Sequence, residues 1–421
     1  MTEWLTAQPD WLQALIRVLI FVVPILLVVP GLIWWERRLL SWMQDRIGPN
    51  RVGPFGLLQP IADGIKLFFK EDITPTTVDR VIYFIAPAVA LFPAFALGGT
   101  LPWGPNRAWT PIADVSIGVL FVMAISSLGV YGVVLAGYSS NNKYSLMGGL
   151  RASAQLISYE LAMGMALASV VLVTGSLTMT EMVRAQEAPL WGQVPAIQNW
   201  FIFTPWGFVS GVIFAICIVA ETNRAPFVLP EAENELIAGY HTEYSSMKFA
   251  VFFMGEYAAM LIFSGVFATV FLGGWNILPI NWSVFGDNAF TNAMIWANTS
   301  LAPLWFIGKC AFGITVFIWL RATLPRLRYD QLMALGWRSL LPLGVANFLI
   351  AGLWVLMSSL RGEAFGWVSW GIAAVVLVAL YFSILGASQK GLRKLEKRTI
   401  RLLEADEPFI EPIKEEAAGA A

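Results

Sequence analysis

Ten runs of this sequence contain no Asp, Glu, Lys or Arg: residues 18–35, 81–106, 115–142, 161–180, 188–220, 257–286, 288–308, 310–320, 339–360 and 364–389. A helix of about 20 apolar residues matches the thickness of a bilayer's hydrocarbon core, and most of these runs reach or approach that length. Only 13% of the 421 residues are charged and 57% are hydrophobic, whereas ordinary soluble domains are about 25% charged. An ordinary cytosolic enzyme is therefore excluded, and so is a disordered chain, which needs low hydrophobicity to stay solvated. The chain reads as an all-α polytopic membrane protein.

The runs resolve into nine helices near 12–35, 81–102, 115–137, 153–175, 205–222, 247–272, 301–321, 340–360 and 365–387. Pro189, Pro195 and Pro205 assign the first half of the 188–220 run to a loop, and Lys309 interrupts one helix rather than separating two. The first helix is no cleaved signal, since Glu3 and Asp10 precede it and Glu36-Arg37-Arg38 follows it. The membrane domain spans 1–387. Residues 388–421, with Lys390, Arg393, Lys394, Lys397 and Arg398 before an acidic end, read as a cytoplasmic helix followed by disorder.

Nine spans place loops 36–80, 138–152, 221–248 and 321–339 and the tail on one side. Those segments hold 22 of the 27 Lys and Arg residues, and the opposite side holds Arg17, Arg107, Arg184 and Arg361. The positive-inside rule puts the basic side in the cytoplasm and the N-terminus outside, as in a bacterial inner membrane.

Metal redox chemistry lacks ligands. Cys217 and Cys310 lie apart in apolar runs and His241 is the single histidine, whereas an iron–sulfur cluster needs about four thiolates. Both cysteines read as small buried hydrophobes.

The loops on the basic side carry the unusual chemistry. In the first, Gly48-Pro49-Asn50-Arg51-Val52-Gly53-Pro54 specifies turns, and 55–70 reads as an amphipathic interfacial helix with Gln59, Asp63, Lys66 and Lys70 on one stripe. The plainer role for that helix is a lipid anchor. The third loop carries Glu221, Glu231, Glu233, Glu235 and Glu243 against Arg224 and Lys248, and Glu231 and Glu235 would share a helix face. Arg321, Arg326 and Arg328 surround Pro325; with Arg37 and Arg46 they either snorkel or line a cavity for a polar headgroup.

Three ionisable residues lie inside helices. Glu160 and Glu256 sit nine and eight residues beyond Arg151 and Lys248, roughly 12–14 Å along their helices, and Lys309 lies roughly 18 Å from Arg321. Each costs roughly 2.5–3.5 kcal/mol to insert. A proton relay explains that cost better than a static ion pair, because burial disfavours a carboxylate's charged form and so favours proton exchange. Continuity with the acidic loop gives the relay a path from the cytoplasm.

Four segments carry a family resemblance: ERRLLSWMQDRIGPNRVGPFGLLQPIADGIKLFFKED (36–72), AQLISYE (154–160), ETNRAPFVLPEAENELIAGYHTEYSSMKFAVFFMGEY (221–257) and IWLRATLPRLRYDQLM (318–333). With the intervening helices they make residues 12–387 similar to the family of H subunits of respiratory complex I, the proton-pumping NADH:quinone oxidoreductase. The resemblance implies a nine-helix membrane subunit that forms the quinone-access tunnel and an acidic funnel coupling quinone reduction to proton pumping. By position it assigns Arg37, Arg46, Asp63, Arg321 and Arg326 to the tunnel. To the funnel it assigns Glu160, Glu221, Arg224, Glu231, Glu233, Glu235, Glu243, Glu256 and Tyr257, with Lys309 at a basic position of the family. It also implies that this chain binds no cofactor and has no redox centre of its own. Quinone is the substrate, FMN and iron–sulfur clusters belong to partner subunits, and the partners are the quinone-module and small membrane-arm subunits. One departure is plain: where the family reads Pro-Phe-Asp, this chain has Pro226-Phe227-Val228. The alternative is an anchor subunit of a related membrane-bound hydrogenase or formate-oxidising complex, against which the 36–72 segment and RLRYDQLM weigh.

Overall fold

A computed structural model describes residues 9–105, 114–190, 194–228, 238–286 and 288–361, together with Gly371, Ala374, Val375, Val378 and Phe382. In hydrocarbon every backbone polar group needs an internal partner, so a spanning chain of this composition has to be helical.

Helices occupy every position expected through residue 360. They are α1 (Asp10–Met43), the interfacial α2 (Gln59–Phe69), α3 (Arg80–Gly98), α4 (Gly118–Ser139), α5 (Lys143–Thr174), α6 (Met179–Gln186), α7 (Pro205–Glu221), α8 (Ser246–Phe271), α9 (Ala289–Ser300) and α10 (Ala302–Thr323). The series ends with α11 (Tyr329–Ala334), which runs through the π-helical stretch Leu335–Leu340 into α12 (Leu341–Arg361). Six of these among the described residues are long and apolar enough to cross a membrane, with α11 and α12 counted as one. Two short strands, β1 (Pro189–Leu190) and β2 (Val194–Gln198), pair antiparallel between α6 and α7. The expected helix at 365–387 lies outside the described residues save for its five helical positions, and the 388–421 extension lies outside them entirely.

Three helices are longer than expected, the last because α11 and the π-helical stretch carry the expected 340–360 helix back to Tyr329. Charge-free length places the first at 12–35, yet α1 continues through Glu36-Arg37-Arg38 to Met43, because its polar end leaves the apolar layer without leaving the helix. The fourth is expected from 153, yet α5 starts at Lys143, where the Asn142 side chain accepts from the Tyr144 amide and caps it. The interfacial helix is slightly shorter than 55–70, since Phe55 takes a positive φ of 54° and a 3-10 turn at Pro54–Gly56 precedes it.

The basic loops meet on one face. Asn141 bonds the Thr77 carbonyl, Ser245 bonds both the amide and the carbonyl of Ile73, and Leu327 donates to Pro226. On the opposite face Val119 donates to Leu177 and Gln198 donates to Pro279. Close helix contact brings α3 and α4, two walls of the interior, together: a Cβ on Gly132 of α4 would lie 2.6 Å from the Ala90 amide of α3, so only glycine allows that approach.

Candidate functional site

A buried charge cluster forms where α1, α8, α10 and the loop after α7 converge. Glu36, 5% exposed on α1, accepts a 2.7 Å bond from the Tyr257 hydroxyl and another from Arg321 at the end of α10. Arg224 lies 3.7 Å from the same Glu36 carboxylate, 4.0 Å from Glu256, and with its guanidinium 4.2 Å from the centre of the Tyr257 ring. Burial works against the charge of Arg224, but Tyr257, Glu256 and Glu36 outweigh it and push its pKa up. The guanidinium is therefore a fixed cation, and two carboxylates and a phenol are arranged around it.

Local structure fixes that arrangement. Gln155 on α5 donates 2.9 Å to the Ala220 carbonyl and 3.1 Å to the Phe227 carbonyl, clamping both sides of the turn that carries Arg224. Asn223 takes a positive φ of 50°, which turns the chain sharply at the end of α7.

Beside the cluster lies a cavity of about 80 Å³, walled by α3, α4, α5, α7 and α8. Glu221, Asn223, Glu256 and Ser126 face it, amid apolar residues such as Pro93 and Phe263. Glu221 Oε2 and Asn223 Oδ1 are buried with no hydrogen-bond partner among the described residues. Buried acceptors of this kind are ordinarily met by water, and the cavity has room for several molecules at about 10–15 Å³ each. Beyond it, Ser126 and Ser127 of α4 bond the Glu160 carboxylate. Glu256 and Glu221 thus border one cavity, and Glu160 is joined to its wall through Ser126, although the three lie on different helices.

The expected tunnel residues are less gathered. Arg37 pairs with Asp63 at 2.6 Å, joining α1 to the interfacial helix, and Gln59 adds a 3.1 Å bond to Asp63. Arg321 reaches Glu36 instead, and so belongs to the charge cluster. Arg46 bonds Gln44, and both Arg46 and Arg326 are exposed. Glu243 accepts from Asn142 at 2.8 Å while its backbone carbonyl receives the Tyr83 hydroxyl, so it braces the loop against α3 and α5. Lys309 is apart from all of these. It donates to the Leu272, Gly274 and Asn276 carbonyls at the far end of α8 and stands 4.2 Å over the Trp200 ring. Glu231, Glu233 and Glu235 lie outside the described residues.

Sequence reasoning passed over Glu36, Ser126 and Ser127. Glu36 reads as a flanking charge because two arginines follow it; being the first carboxylate after an 18-residue charge-free run was the available signal. The serines gave none, since hydroxyls are ordinary in membrane helices. Among the described residues no group of three or more His, Cys, Asp or Glu could hold a metal ion. Cys217 and Cys310 are both free and buried. His241 is buried among aromatic rings, including Tyr240 and Phe252, and burial pulls its pKa down to about 3.

Residues 16–352 match the family described as NADH dehydrogenase. The H subunit of NADH-quinone oxidoreductase from Cupriavidus necator is 46% identical over 368 residues, which cover 84% of this chain and 98% of that protein. One of the numbered H subunits of NADH-quinone oxidoreductase in Koribacter versatilis is 44% identical, over 82% of this chain and 98% of its own length. Its counterpart in Geobacter metallireducens is 46% identical over 352 residues, 82% of this chain and 96% of that protein. With most of each sequence covered at such identity, and with a polytopic helical fold, the chain belongs to the NADH dehydrogenase family, alongside the H subunits of NADH-quinone oxidoreductase.

Proposed function

We propose that this chain is the inner-membrane subunit in which quinone reduction is coupled to proton translocation within an NADH:quinone oxidoreductase. The observation that carries the reading is that two sets of groups share one end of α1. The Arg37–Asp63 pair and the interfacial helix lie at one end of α1, and the adjacent residue, Glu36, opens the charge cluster. A headgroup arriving at Arg37 and Asp63 is thus one residue from a carboxylate already shared by Arg321, Arg224 and Tyr257. A change in charge or position at Arg37 is proposed to reach Glu36 along α1, and through Arg224 to reach Glu256.

From there the path is proposed to run through the cavity to Glu221 and on to Glu160. Burial makes an uncompensated charge costly, so a proton that leaves one carboxylate favours protonation of the next. Glu231, Glu233, Glu235 and Glu243 would supply protons from the basic side. Val228 takes no part in such exchange; Phe227, its neighbour, is held through its carbonyl by Gln155. Arg46 and Arg326 are proposed to receive the quinone near the tunnel mouth, together with partner subunits that carry the flavin and iron–sulfur chemistry. Lys309 has no carboxylate among its described contacts, and its assignment to the path rests on its depth along the helix and on the family resemblance.

Replacement of Glu256 by Gln tests the reading in the assembled complex. Quinone reduction and proton pumping should both fall about tenfold or more, the scale of roughly 1.4 kcal/mol for a lost charge contact. NADH oxidation by a hydrophilic acceptor should persist. Full proton-to-electron stoichiometry in that variant would remove the coupling path.

A further inference from the structure

The stretch between the cavity and Glu160 contains two hydroxyls on consecutive residues of α4. Ser126 is 4% exposed and lines the cavity. Its Oγ lies 3.4 Å from Glu160 Oε1, and Ser127 Oγ meets the same oxygen. Each hydroxyl is also 2.9 Å from the Met123 carbonyl. A helical serine ordinarily gives its proton to a carbonyl three or four residues back. Here that habit does not use up the pair. Two hydroxyl protons face two acceptors, the Met123 carbonyl and the Glu160 carboxylate, and both hydroxyls reach both. When Ser127 serves Met123, Ser126 is left to donate to Glu160 while its lone pairs face the cavity. Rotation about each Cβ–Oγ bond exchanges the two arrangements.

We propose that Ser126 is a hydroxyl bridge through which a proton passes from the cavity to Glu160, with Ser127 as the positioning residue that holds the shared carboxylate oxygen. The inference rests on the proton path described above and names one link in it. In the step, the O–H bond of the Glu221 carboxylic acid breaks and its proton reaches Ser126 Oγ by way of water. Ser126 releases its own proton to the Glu160 carboxylate, where the new O–H bond forms. Glu221 is left ionised, Glu160 is neutral, the serine is unchanged and no electron moves. Hydroxyl rotation towards Met123 and back resets the bridge.

Two features suit Ser126 to this task. It is the member of the pair that faces the cavity, and Glu221 Oε2 on the same cavity has no partner among the described residues. Glu160 therefore communicates with Glu221 through a wall that carries a hydroxyl where an alanine or leucine would close it.

The test uses the complete complex in proteoliposomes, each preparation normalised to its NADH oxidation by a hydrophilic acceptor. Ser126→Ala, Ser127→Ala and Ser126→Thr are compared for protons moved per electron and for the solvent isotope effect on quinone reduction. Ser126→Ala should lower the proton ratio at least twofold and raise the isotope effect, and Ser126→Thr should restore both because it keeps the hydroxyl. If the pair only pins the Glu160 side chain, Ser126→Ala will leave ratio and isotope effect unchanged while Ser127→Ala impairs activity, and the bridge is refuted. Glu221→Gln and Glu256→Gln run alongside. Should both pump at full ratio, the coupling reading itself fails; should they lose pumping while Ser126→Ala pumps normally, only the bridge fails.

Discussion

The Arg224 guanidinium ties two buried carboxylates together. Arg224 is 7% exposed and stands between Glu36 and Glu256, so removing either acid leaves a buried cation short of a partner. Breaking one side of such a pair costs about 3–5 kcal/mol. Glu36→Ala is accordingly expected to lower the thermal midpoint of the purified complex and its yield in membranes, whereas Glu36→Asp keeps the charge and should lose much less. Equal melting of both variants would show that Arg224 finds its compensation elsewhere. His241 makes a second residue-scale prediction. Its pKa of about 3 in the folded chain lies below the ordinary 6.5, so above 6.5 the imidazole is neutral whether folded or not. As pH falls from 6.5 towards 3, the unfolded state gains a proton that the folded state refuses, and stability is lost across that window. Hydrogen exchange at residues 239–244, corrected for its intrinsic pH dependence, should therefore accelerate between pH 7 and 5. His241→Phe should flatten the response. Neither prediction was available from residue type alone: a lone histidine in the sequence carries no sign of the rings around it, and Glu36 looked like a flanking charge.

At the scale of elements, the interfacial helix is fastened to the helix that carries Glu256. Ser246 at the start of α8 donates to the carbonyls of Leu67 and Lys70 at the end of α2. Lys248, two residues further on, pairs with Asp72 at 2.9 Å, bonds Thr74 and lies 4.2 Å over the Phe84 ring. Charge-assisted bonds of this sort contribute about 1.5–3 kcal/mol where the cation is buried. Lys248→Ala should thus raise proteolytic nicking at 70–78 and lengthen the reach of α2 away from α8, visible as an increased KM for a long-tailed quinone. The sequence showed the polar stripe of this helix and its interfacial length; it did not show the clasp, because Lys248 and Thr74 are separated by 174 positions. A further element contact depends on glycine. A Cβ on Gly148 of α5 would lie 2.7 Å from Gly239 Cα, in the loop that leads into α8. Gly148→Val should therefore displace that loop and reduce assembled complex, with an overpacking cost of about 1–3 kcal/mol.

At the scale of the whole molecule, sidedness follows from charge counting. The loops that meet on one face are those rich in Lys and Arg, and from the positive-inside rule we propose that this face is cytoplasmic. A cysteine introduced at Ser283, in the 272–288 connection, should react with an impermeant thiol reagent from the periplasmic side of intact cells. One introduced at Asn50 should react only after the cytoplasmic side is opened. The reverse pattern would invert the proposed direction of proton supply.

The charge-free runs were sufficient to find the expected apolar helices through residue 360, though not α6, α9 or α11, because the cost of placing charge in hydrocarbon is large and is set residue by residue. The same cost marked Glu160 and Glu256 as residues needing explanation before any partner was known. What those carboxylates face was decided only by packing. Glu36 and Arg321 are separated by 285 positions and meet because α1 and α10 rotate their polar edges towards one another. Lys309 shows the opposite case: its depth along the helix suggested a share in the relay, whereas the packed chain turns its amine to the carbonyls that end α8. Depth in the bilayer is written along a helix, in steps of about 1.5 Å that can be counted. Which face a side chain occupies relative to its neighbouring helices depends on tilt, rotation and close approach at glycines such as Gly132, and those are settled only when the helices pack.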